Sequence, residues 1–150
     1  MFDIIIIGAG IIGCQMAYTL SLTDLSVLVI EKNTEVLNEV SSANSGIIHT
    51  GYDPKEGTLK ALLNAKGAQM YRDLCEKLQV PLMECGSLLV AHNDQEIETL
   101  QEIMDKAEHR KISCEMLDQN ACRKTEPNIA PSIIAALYFP TTASILPWQM

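Results

Sequence analysis

The amino-acid sequence predicts an α/β fold that begins with a strand–helix–strand (βαβ) unit. Three observations within the first 32 residues predict it. An isoleucine run over 4–7 and a second apolar run over 27–30 both have the composition of buried strands. A glycine-rich turn, GAGIIG, follows the first run directly. The residues after this turn place Cys14, Ala17 and Leu20 on one face of a helix, so the strands are expected to be parallel with a crossover helix.

Each glycine of this turn has a physical task in a nucleotide-binding loop. Gly8 permits the sharp turn out of the strand, Gly10 lets the backbone approach a pyrophosphate, and Gly13 lets the helix pack against the strand. The helix N-terminus adds unpaired N–H groups and the positive end of a dipole. Glu31 ends the second strand and can accept hydrogen bonds from ribose hydroxyls. Because its negative charge would repel a 2′-phosphate, Glu31 disfavours NADP. An ordinary glycine turn would not need this context, so the unit predicts a Rossmann-like nucleotide site.

The rest of the chain predicts alternating helices and strands without repeats. Leucine and methionine spacing predicts a helix over 58–78 with Thr58 as its cap. A second helix begins at Asn93 or Asp94 and carries an apolar stripe. The remaining predicted elements are a strand over 82–92 with Gly86 as a bulge, a strand over 112–117, a short helix over 118–124 and a strand over 133–139.

Composition excludes several classes of function. The net charge of −8 and pI of about 4.8 are unfavourable for binding nucleic acid, which requires basic surface. The N-terminus lacks a basic region and its apolar run is four residues long, so neither a signal peptide nor a transmembrane segment is expected. Five cysteines occur without a CxxC pair or metal-ligand spacing, which predicts reduced thiols in the cytoplasm and no metal site.

A second motif, SSANSGIIHTGYD, covers residues 41–53. Its small side chains, at Ser41, Ser42, Asn44, Ser45 and Gly46, allow close approach to a flat or phosphate-bearing ligand. The same residue types dominate polar surface turns, so the residues alone leave both interpretations open.

The glycine turn followed by SxxNSGxIHxGYD resembles the D-amino-acid-oxidase-like superfamily of FAD enzymes. Within that superfamily the segment is most similar to FAD-dependent glycerol-3-phosphate dehydrogenases and oxidases, and it is also similar to L-2-hydroxyglutarate oxidases. The similarity continues through 57–61, 85–91 and 126–129, and so spans nearly the whole chain.

The resemblance implies FAD as the cofactor and a role for each matching residue. Those implied to surround the FAD pyrophosphate are Gly8, Gly10, Ile12 and Gly13. Glu31 would hold the adenosine ribose, with Lys32 near the adenine end. The path from the phosphates to the flavin would be lined by Ser41, Ser42, Asn44, Ser45 and Gly46. Ile47 and Ile48 would pack near the flavin ring, and His49 would lie beside the reactive flavin and face the substrate.

His49 is the candidate catalytic residue. Oxidation of a secondary alcohol moves a hydride to flavin N5 while the hydroxyl loses a proton, and a histidine side chain is suited to accept that proton at neutral pH. A structural or flavin-contacting role is the alternative. His92 and His109 lie at a strand end and in a charged helical turn, where surface positions are expected.

The resemblance also implies a domain organisation. Residues 1–80 would be the N-terminal part of a Rossmann-like FAD-binding domain, and 81–146 the start of a mixed α+β substrate domain. Residues 147–150 would return towards the FAD-binding domain. Too few parallel strands are found for a complete nucleotide-binding sheet, so the chain is expected to be an N-terminal piece of a longer protein.

The expected reaction is oxidation of sn-glycerol 3-phosphate, a small anionic hydroxylated substrate, to dihydroxyacetone phosphate. L-2-hydroxyglutarate is the alternative substrate. A nucleotide-binding fragment without turnover and an NAD-dependent dehydrogenase are the alternative classes, although the second leaves NSGIIHTG unexplained. The electron acceptor stays open between oxygen, a quinone and a protein. A quinone would bring a cytoplasmic protein into peripheral contact with the inner face of the membrane.

Overall fold

The computed structural model describes residues 1–149 and divides into two compact units. The first comprises Met1–Gly46 with the residues from Leu146 onward, and the second comprises Ile47–Ile145. The predicted functional division into 1–80, 81–146 and 147–150 is not tested by these two units and stays a prediction, and Met150 lies outside the described residues.

The first unit contains the predicted βαβ arrangement. Strand β1 (Ile4–Ile7), helix α1 (Ile11–Leu20) and strand β2 (Val27–Ile30) follow in order. The two strands are parallel, with Ile4 opposite Val27 and Ile7 opposite Ile30. A short 3₁₀ helix, Pro147–Gln149, also belongs to this unit. The predicted bounds of both strands are confirmed.

The prediction that both strands are buried is wrong for most of their side chains. Ile6 is 6% exposed, whereas Ile7 is 88% and Ile30 is 48% exposed. Parallel strands are normally covered on both faces, but among the described residues this sheet has two strands only. Much of its apolar surface therefore lacks a covering layer.

The second unit contains two three-stranded antiparallel sheets and three helices. One sheet has the order β3-β8-β4 and the other β5-β7-β6. The elements are β3 (Ile47–Ile48), α2 (Leu59–Leu78), β4 (Leu82–Met83), β5 (Ser87–Ala91), α3 (Asp94–His109), β6 (Glu115–Asp118), α4 (Gln119–Thr125), β7 (Ala135–Phe139) and β8 (Ala143–Ile145).

Helix α3 packs its apolar stripe against strands β5 and β7 and forms the main core of this unit. Leu100 is 3% exposed, and Ala107, Leu137 and Phe139 are fully buried. The Tyr52 ring stacks on the Phe139 ring with 4.3 Å between centroids. The predicted stripe of α3 (Ile97, Leu100, Met104 and Ala107) is confirmed as its core face.

Side-chain caps fix the starts of the three helices. The Asn93 side chain accepts a hydrogen bond from the Glu96 N–H, and the Glu96 carboxylate accepts one from the His92 N–H. Thr58 caps α2 and Asp118 caps α4 in the same manner. The predicted helix starts are therefore confirmed to within a residue.

The predicted single strand over 82–92 is wrong, because it is two strands that belong to different sheets. Gly86 lies between β4 and β5 with φ +66°, and its N–H donates to the Thr142 carbonyl at 2.9 Å. The Ser87 and Thr142 hydroxyls are 2.8 Å apart. The chain thus turns a corner at Gly86, and the segment between β7 and β8, which pairs with it, turns at the same place.

The other strand predictions differ at their ends. The strand predicted over 112–117 is observed at Glu115–Asp118, and the one over 133–139 begins at Ala135. Strands β3 and β8 have no counterpart in the sequence-based prediction. Within residues 1–149, no helix is both long enough and apolar enough to cross a membrane.

Candidate cofactor site

The glycine turn brings helix α1 close to strand β1. Gly8 has φ +98°, a conformation that favours glycine, and its N–H donates to the Ile30 carbonyl at 2.7 Å. A Cβ atom at Gly13 would lie 2.0 Å from the Gly8 carbonyl oxygen. The close approach predicted for Gly13 therefore requires glycine at that position.

The N-terminus of α1 meets the second motif at Ser41. Gly10 precedes the helix and has no side chain to cap it, while the Ile11 N–H donates to the Ser41 hydroxyl oxygen at 2.9 Å. A Cβ at Gly10 would approach that oxygen to 3.1 Å. Because the hydroxyl accepts this bond, its own proton remains available to donate to an anionic ligand.

Glu31 presents an ionised carboxylate to the same region. Its two oxygens accept hydrogen bonds from the Ala9 N–H at 2.7 Å and the Asn33 N–H at 2.9 Å. These bonds, that from Ala9 foremost, hold the pKa of Glu31 below its ordinary value. The carboxylate retains lone pairs that can accept hydrogen bonds from a pair of vicinal hydroxyls.

A cavity of about 410 Å³ joins the glycine turn to the end of β2. Five of the predicted site residues line it: Gly8, Gly10, Glu31, Lys32 and Ser41. Predicted residues Ile12 and Gly13 line a neighbouring cavity together with Gly8, Gly10 and Ser41. The structure thus brings these residues, drawn from two separate motifs, into one region of the first unit.

Lys32 is anchored by a partner that the sequence did not indicate. Its Nζ lies 2.5 Å from the Glu39 carboxylate, with both side chains exposed. This ion pair raises the pKa of Lys32 and lowers that of Glu39. Glu39 lines the cavity beside Lys32.

Asn44 shapes the loop of the second motif. Its amide nitrogen donates to the carbonyls of Val40 and Ser41 at 3.2 and 2.8 Å, and its oxygen accepts from the Gly46 N–H at 2.8 Å. The Ser42 hydroxyl donates to the Glu39 carbonyl. Both of these side chains bond to the backbone of the loop. The predicted residues that line neither cavity are Ser42, Asn44, Ser45, Gly46, Ile47 and His49.

Ile47 and His49 belong to the second unit. Their side chains are exposed, whereas those of Ile48 and Thr50 are buried, as expected for extended chain with alternating faces. The roles of Ile47 and His49 beside a flavin stay predictions. His92 is exposed, with its Nδ1 3.2 Å from the Ser132 hydroxyl, and His109 is exposed at the end of α3.

Several residues that line the cavity were not predicted from the sequence, and Leu37 is the one among them with an unusual backbone conformation. Leu37 has φ +60°, is 9% exposed, and donates its N–H to the Ala9 carbonyl at 2.9 Å. It thereby fixes the loop that closes the cavity. No motif marks a leucine in this conformation. Among the described residues, no group of three metal-ligating side chains is found.

Residues 3–150 match the DAO family, described as FAD dependent oxidoreductase. This chain belongs to the DAO family. The resemblance inferred from the two motifs is confirmed, as is FAD as the family's cofactor, so the NAD-dependent alternative is set aside.

The similar proteins include two kinds of dehydrogenase. A glycerol 3-phosphate dehydrogenase from Caloramator mitchellensis is 44% identical over 150 residues, which are 99% of this chain and 31% of that protein. The mitochondrial L-2-hydroxyglutarate dehydrogenase of Homo sapiens is 34% identical over 129 residues, 84% of this chain and 28% of that protein.

A solved structure supports the same fold assignment. The dithionite-reduced L-alpha-glycerophosphate oxidase from Mycoplasma pneumoniae with FAD bound has a TM-score of 0.89 at 34% identity, over 97% of this chain and 39% of that one. The predicted α/β, FAD-binding fold class is confirmed. This DAO-family chain spans about a third of the length of these relatives.

The residues of the cavity fit the adenosine and pyrophosphate part of FAD. A Cβ at Gly13 would collide with the turn, so α1 packs directly on the turn and its first residues line the same cavity as Gly8 and Gly10. The ionised carboxylate of Glu31 suits the two hydroxyls of a ribose.

Proposed function

We propose that the protein oxidises the secondary hydroxyl of sn-glycerol 3-phosphate to the ketone of dihydroxyacetone phosphate, with FAD as oxidant. The observation that carries the proposal is the 44% identity of the whole chain to a glycerol 3-phosphate dehydrogenase. The cavity that joins the glycine turn to the Glu31 carboxylate supports the flavin part of the proposal.

In this proposal the first unit binds the cofactor. The helix N-terminus, together with Gly8 and Gly10, holds the pyrophosphate, and the Ser41 hydroxyl donates to it. Glu31 accepts hydrogen bonds from the adenosine ribose, and Lys32 lies towards the adenine. Asn44 acts on the cofactor indirectly, because it fixes the backbone that carries Ser41.

His49 acts on the substrate. Bound FAD supplies the acceptor for the hydride that leaves the carbinol carbon. The imidazole of His49 accepts the proton of the hydroxyl, so that the C–H and O–H bonds are both broken and the C=O double bond forms. The exposed position of His49 on the extended chain after β3 supports this role, because the proton acceptor must reach the substrate.

The test is an anaerobic titration of the intact protein with sn-glycerol 3-phosphate, followed by the visible absorption of the flavin. We expect the flavin to bleach. In His49→Ala the bleaching rate should fall at least about 100-fold, the contribution typical of a general base. His109→Ala is the matched control, since His109 is exposed at the end of α3, and it should bleach at the wild-type rate.

Two results would refute this proposal separately. Flavin that stays oxidised with sn-glycerol 3-phosphate would exclude that substrate. Bleaching at an equal rate in His49→Ala and wild type would exclude His49 as the proton acceptor. A purified protein without flavin absorption would leave the third possibility, a nucleotide-binding fragment without turnover.

L-2-Hydroxyglutarate is the second candidate substrate. The 34% identity to an L-2-hydroxyglutarate dehydrogenase over 129 residues favours it. It is also a small anion with a secondary hydroxyl, so the same role of His49 applies. Bleaching by L-2-hydroxyglutarate but not by sn-glycerol 3-phosphate would select it.

The electron acceptor is oxygen, a quinone or a partner protein. We place the protein in the cytoplasm, and at the inner face of the membrane if the acceptor is a quinone. All five cysteines are free thiols, which supports a reducing compartment. Reoxidation of the reduced protein by air, by a soluble quinone or by neither distinguishes the three acceptors.

A further inference from the structure

A cavity lined by three cationic side chains lies in the second unit and shares no lining residue with the cavity at the glycine turn. Its volume is about 210 Å³, and Arg72, Arg110 and Lys111 line it. Thr50 and Ser113 add hydroxyl groups. Among the described residues that line the cavity none is an aspartate or glutamate, so every charged side chain in the lining is cationic.

The three cationic side chains differ in the contacts that they already make. Arg72 pairs with Glu84. One guanidinium nitrogen of Arg110, Nη1, donates to the carbonyls of Gly51 and Tyr52 at 2.9 and 3.1 Å. This anchors the side chain, and within residues 1–149 its other guanidinium N–H groups have no hydrogen-bond partner.

Lys111 provides the unused charge. Its side chain is exposed, and no carboxylate in residues 1–149 lies within ion-pair distance of it. The cavity therefore combines an anchored arginine with an unpaired lysine.

Thr50 provides an independent sign of a missing partner. It is 7% exposed, and its hydroxyl oxygen is buried without a hydrogen-bond partner among the described residues. Buried polar groups nearly always have a partner. An unsatisfied hydroxyl beside three cations is what a bound oxyanion would complete, since such an anion accepts from both kinds of donor.

The cavity lies behind the candidate catalytic residue. His49 is exposed and its neighbour Thr50 is buried, and successive side chains of extended chain point to opposite faces. A ligand beside Thr50 is therefore on the other side of the chain from the face that His49 presents.

One contribution opposes anion binding. Arg110 and Lys111 follow directly after α3, whose C-terminal carbonyls form the negative end of a helix dipole. If the two cations served only to offset that dipole, the cavity would not bind an anion. The measured affinity decides between these two roles.

We propose that this cavity is a binding site for a small oxyanion of the phosphate class, separate from the substrate face of His49. Its volume of about 210 Å³ is sufficient for a phosphate group. Lys111 and Arg110 provide the charge, and the Thr50 hydroxyl donates to one oxygen. This proposal is independent of the identity of the oxidised substrate.

The test is calorimetric titration of the intact protein with inorganic phosphate. We expect saturable binding that Lys111→Gln weakens about tenfold, the loss of one charge-assisted hydrogen bond. Thr50→Val should weaken it about fivefold. Lys124→Gln, an equal charge change on helix α4 outside the cavity, should leave the affinity unchanged.

His49→Ala separates this proposal from the proposed oxidation. It should retain phosphate binding while substrate oxidation falls. Loss of phosphate binding in His49→Ala would place the anion on the substrate face and overturn the proposal, as would equal affinities in Lys111→Gln and Lys124→Gln. A parallel titration with methyl phosphate distinguishes two sources of the anion. Tighter binding of inorganic phosphate indicates free phosphate as the ligand, and tighter binding of methyl phosphate indicates the phosphate group of an ester.

Discussion

Substitution of Gly13 by alanine should damage both stability and cofactor binding. The new Cβ would lie 2.0 Å from the Gly8 carbonyl oxygen, whereas such contacts essentially never fall below 3.0 Å. Helix α1 would therefore have to move about 1 Å away from the turn. Overpacking of this kind costs about 1–3 kcal/mol. Alanine recovers up to about 1 kcal/mol through its better helix propensity.

The expected net loss therefore lies between about 0 and 3 kcal/mol, or up to about 12 °C in Tm for a chain of this size. The same movement withdraws the helix N–H groups from the pyrophosphate. The loss of one hydrogen bond to a charged group corresponds to an FAD affinity at least about tenfold weaker. Thermal unfolding measures the first effect, and flavin retained after dialysis measures the second.

Gly67→Ala is the matched control for this substitution. Gly67 lies within helix α2, and a Cβ there would meet nothing within 4 Å. Alanine at this position should raise stability by about 0.5–1 kcal/mol and leave FAD binding unchanged. If Gly13→Ala behaved like Gly67→Ala in both assays, the account of the glycine turn would be refuted.

Three further substitutions test separate parts of the structure. Glu31→Gln should lower flavin retention at neutral pH. The pKa of Glu31 is lowered in the folded protein, so its carboxylate is fully ionised above the ordinary pKa and loses its charge only as pH falls through the lowered pKa. Below that pH the flavin retention of wild type and of Glu31→Gln should converge. Asn93→Ala should lower stability by about 1 kcal/mol in thermal unfolding through loss of the α3 cap, whereas exposed Thr99→Ala should not. Gly86→Ala should lower Tm more than Asn93→Ala does. The φ of Gly86 is +66°, and a Cβ at this position would lie 2.5 Å from the Tyr138 ring.

Local signals explain why much of the fold is predictable from the sequence. The glycine turn, with a strand on one side and a helix on the other, specifies β1, α1 and β2 without reference to distant residues. Thr58, Asn93 and Asp118 each accept a hydrogen bond from a backbone N–H three residues later. These interactions occur within one helical turn, so residue type and spacing reveal them.

Non-local pairing explains most of what the sequence failed to predict. Strands β3 and β8 are two and three residues long, and they pair Ile47 with Ser144 across nearly a hundred residues. Such short strands contain no usable hydrophobic period. Gly86 was recognised as an irregularity, but a bulge and a change of sheet look identical in sequence.

The candidate site shows the same division. The cavity residues in the glycine turn and at Glu31 were predictable because their spacing carries the chemistry. Leu37 was not, because its left-handed conformation is set by the loop around it, and leucine is uncommon there. The position of His49 relative to the glycine turn depends on two units and stays a prediction.

The corner at Gly86 has a consequence for His49. Both strands of the ribbon turn there, so the β3-β8-β4 sheet and the β5-β7-β6 sheet share this corner. The chain that runs from β3 into His49 is carried by the β3-β8-β4 sheet. Tyr52, three residues after His49, stacks on Phe139, and Arg110 donates to the carbonyls of Gly51 and Tyr52. These contacts tie the chain that carries the imidazole to the α3 core, so substitutions in that core should also disturb the position of His49.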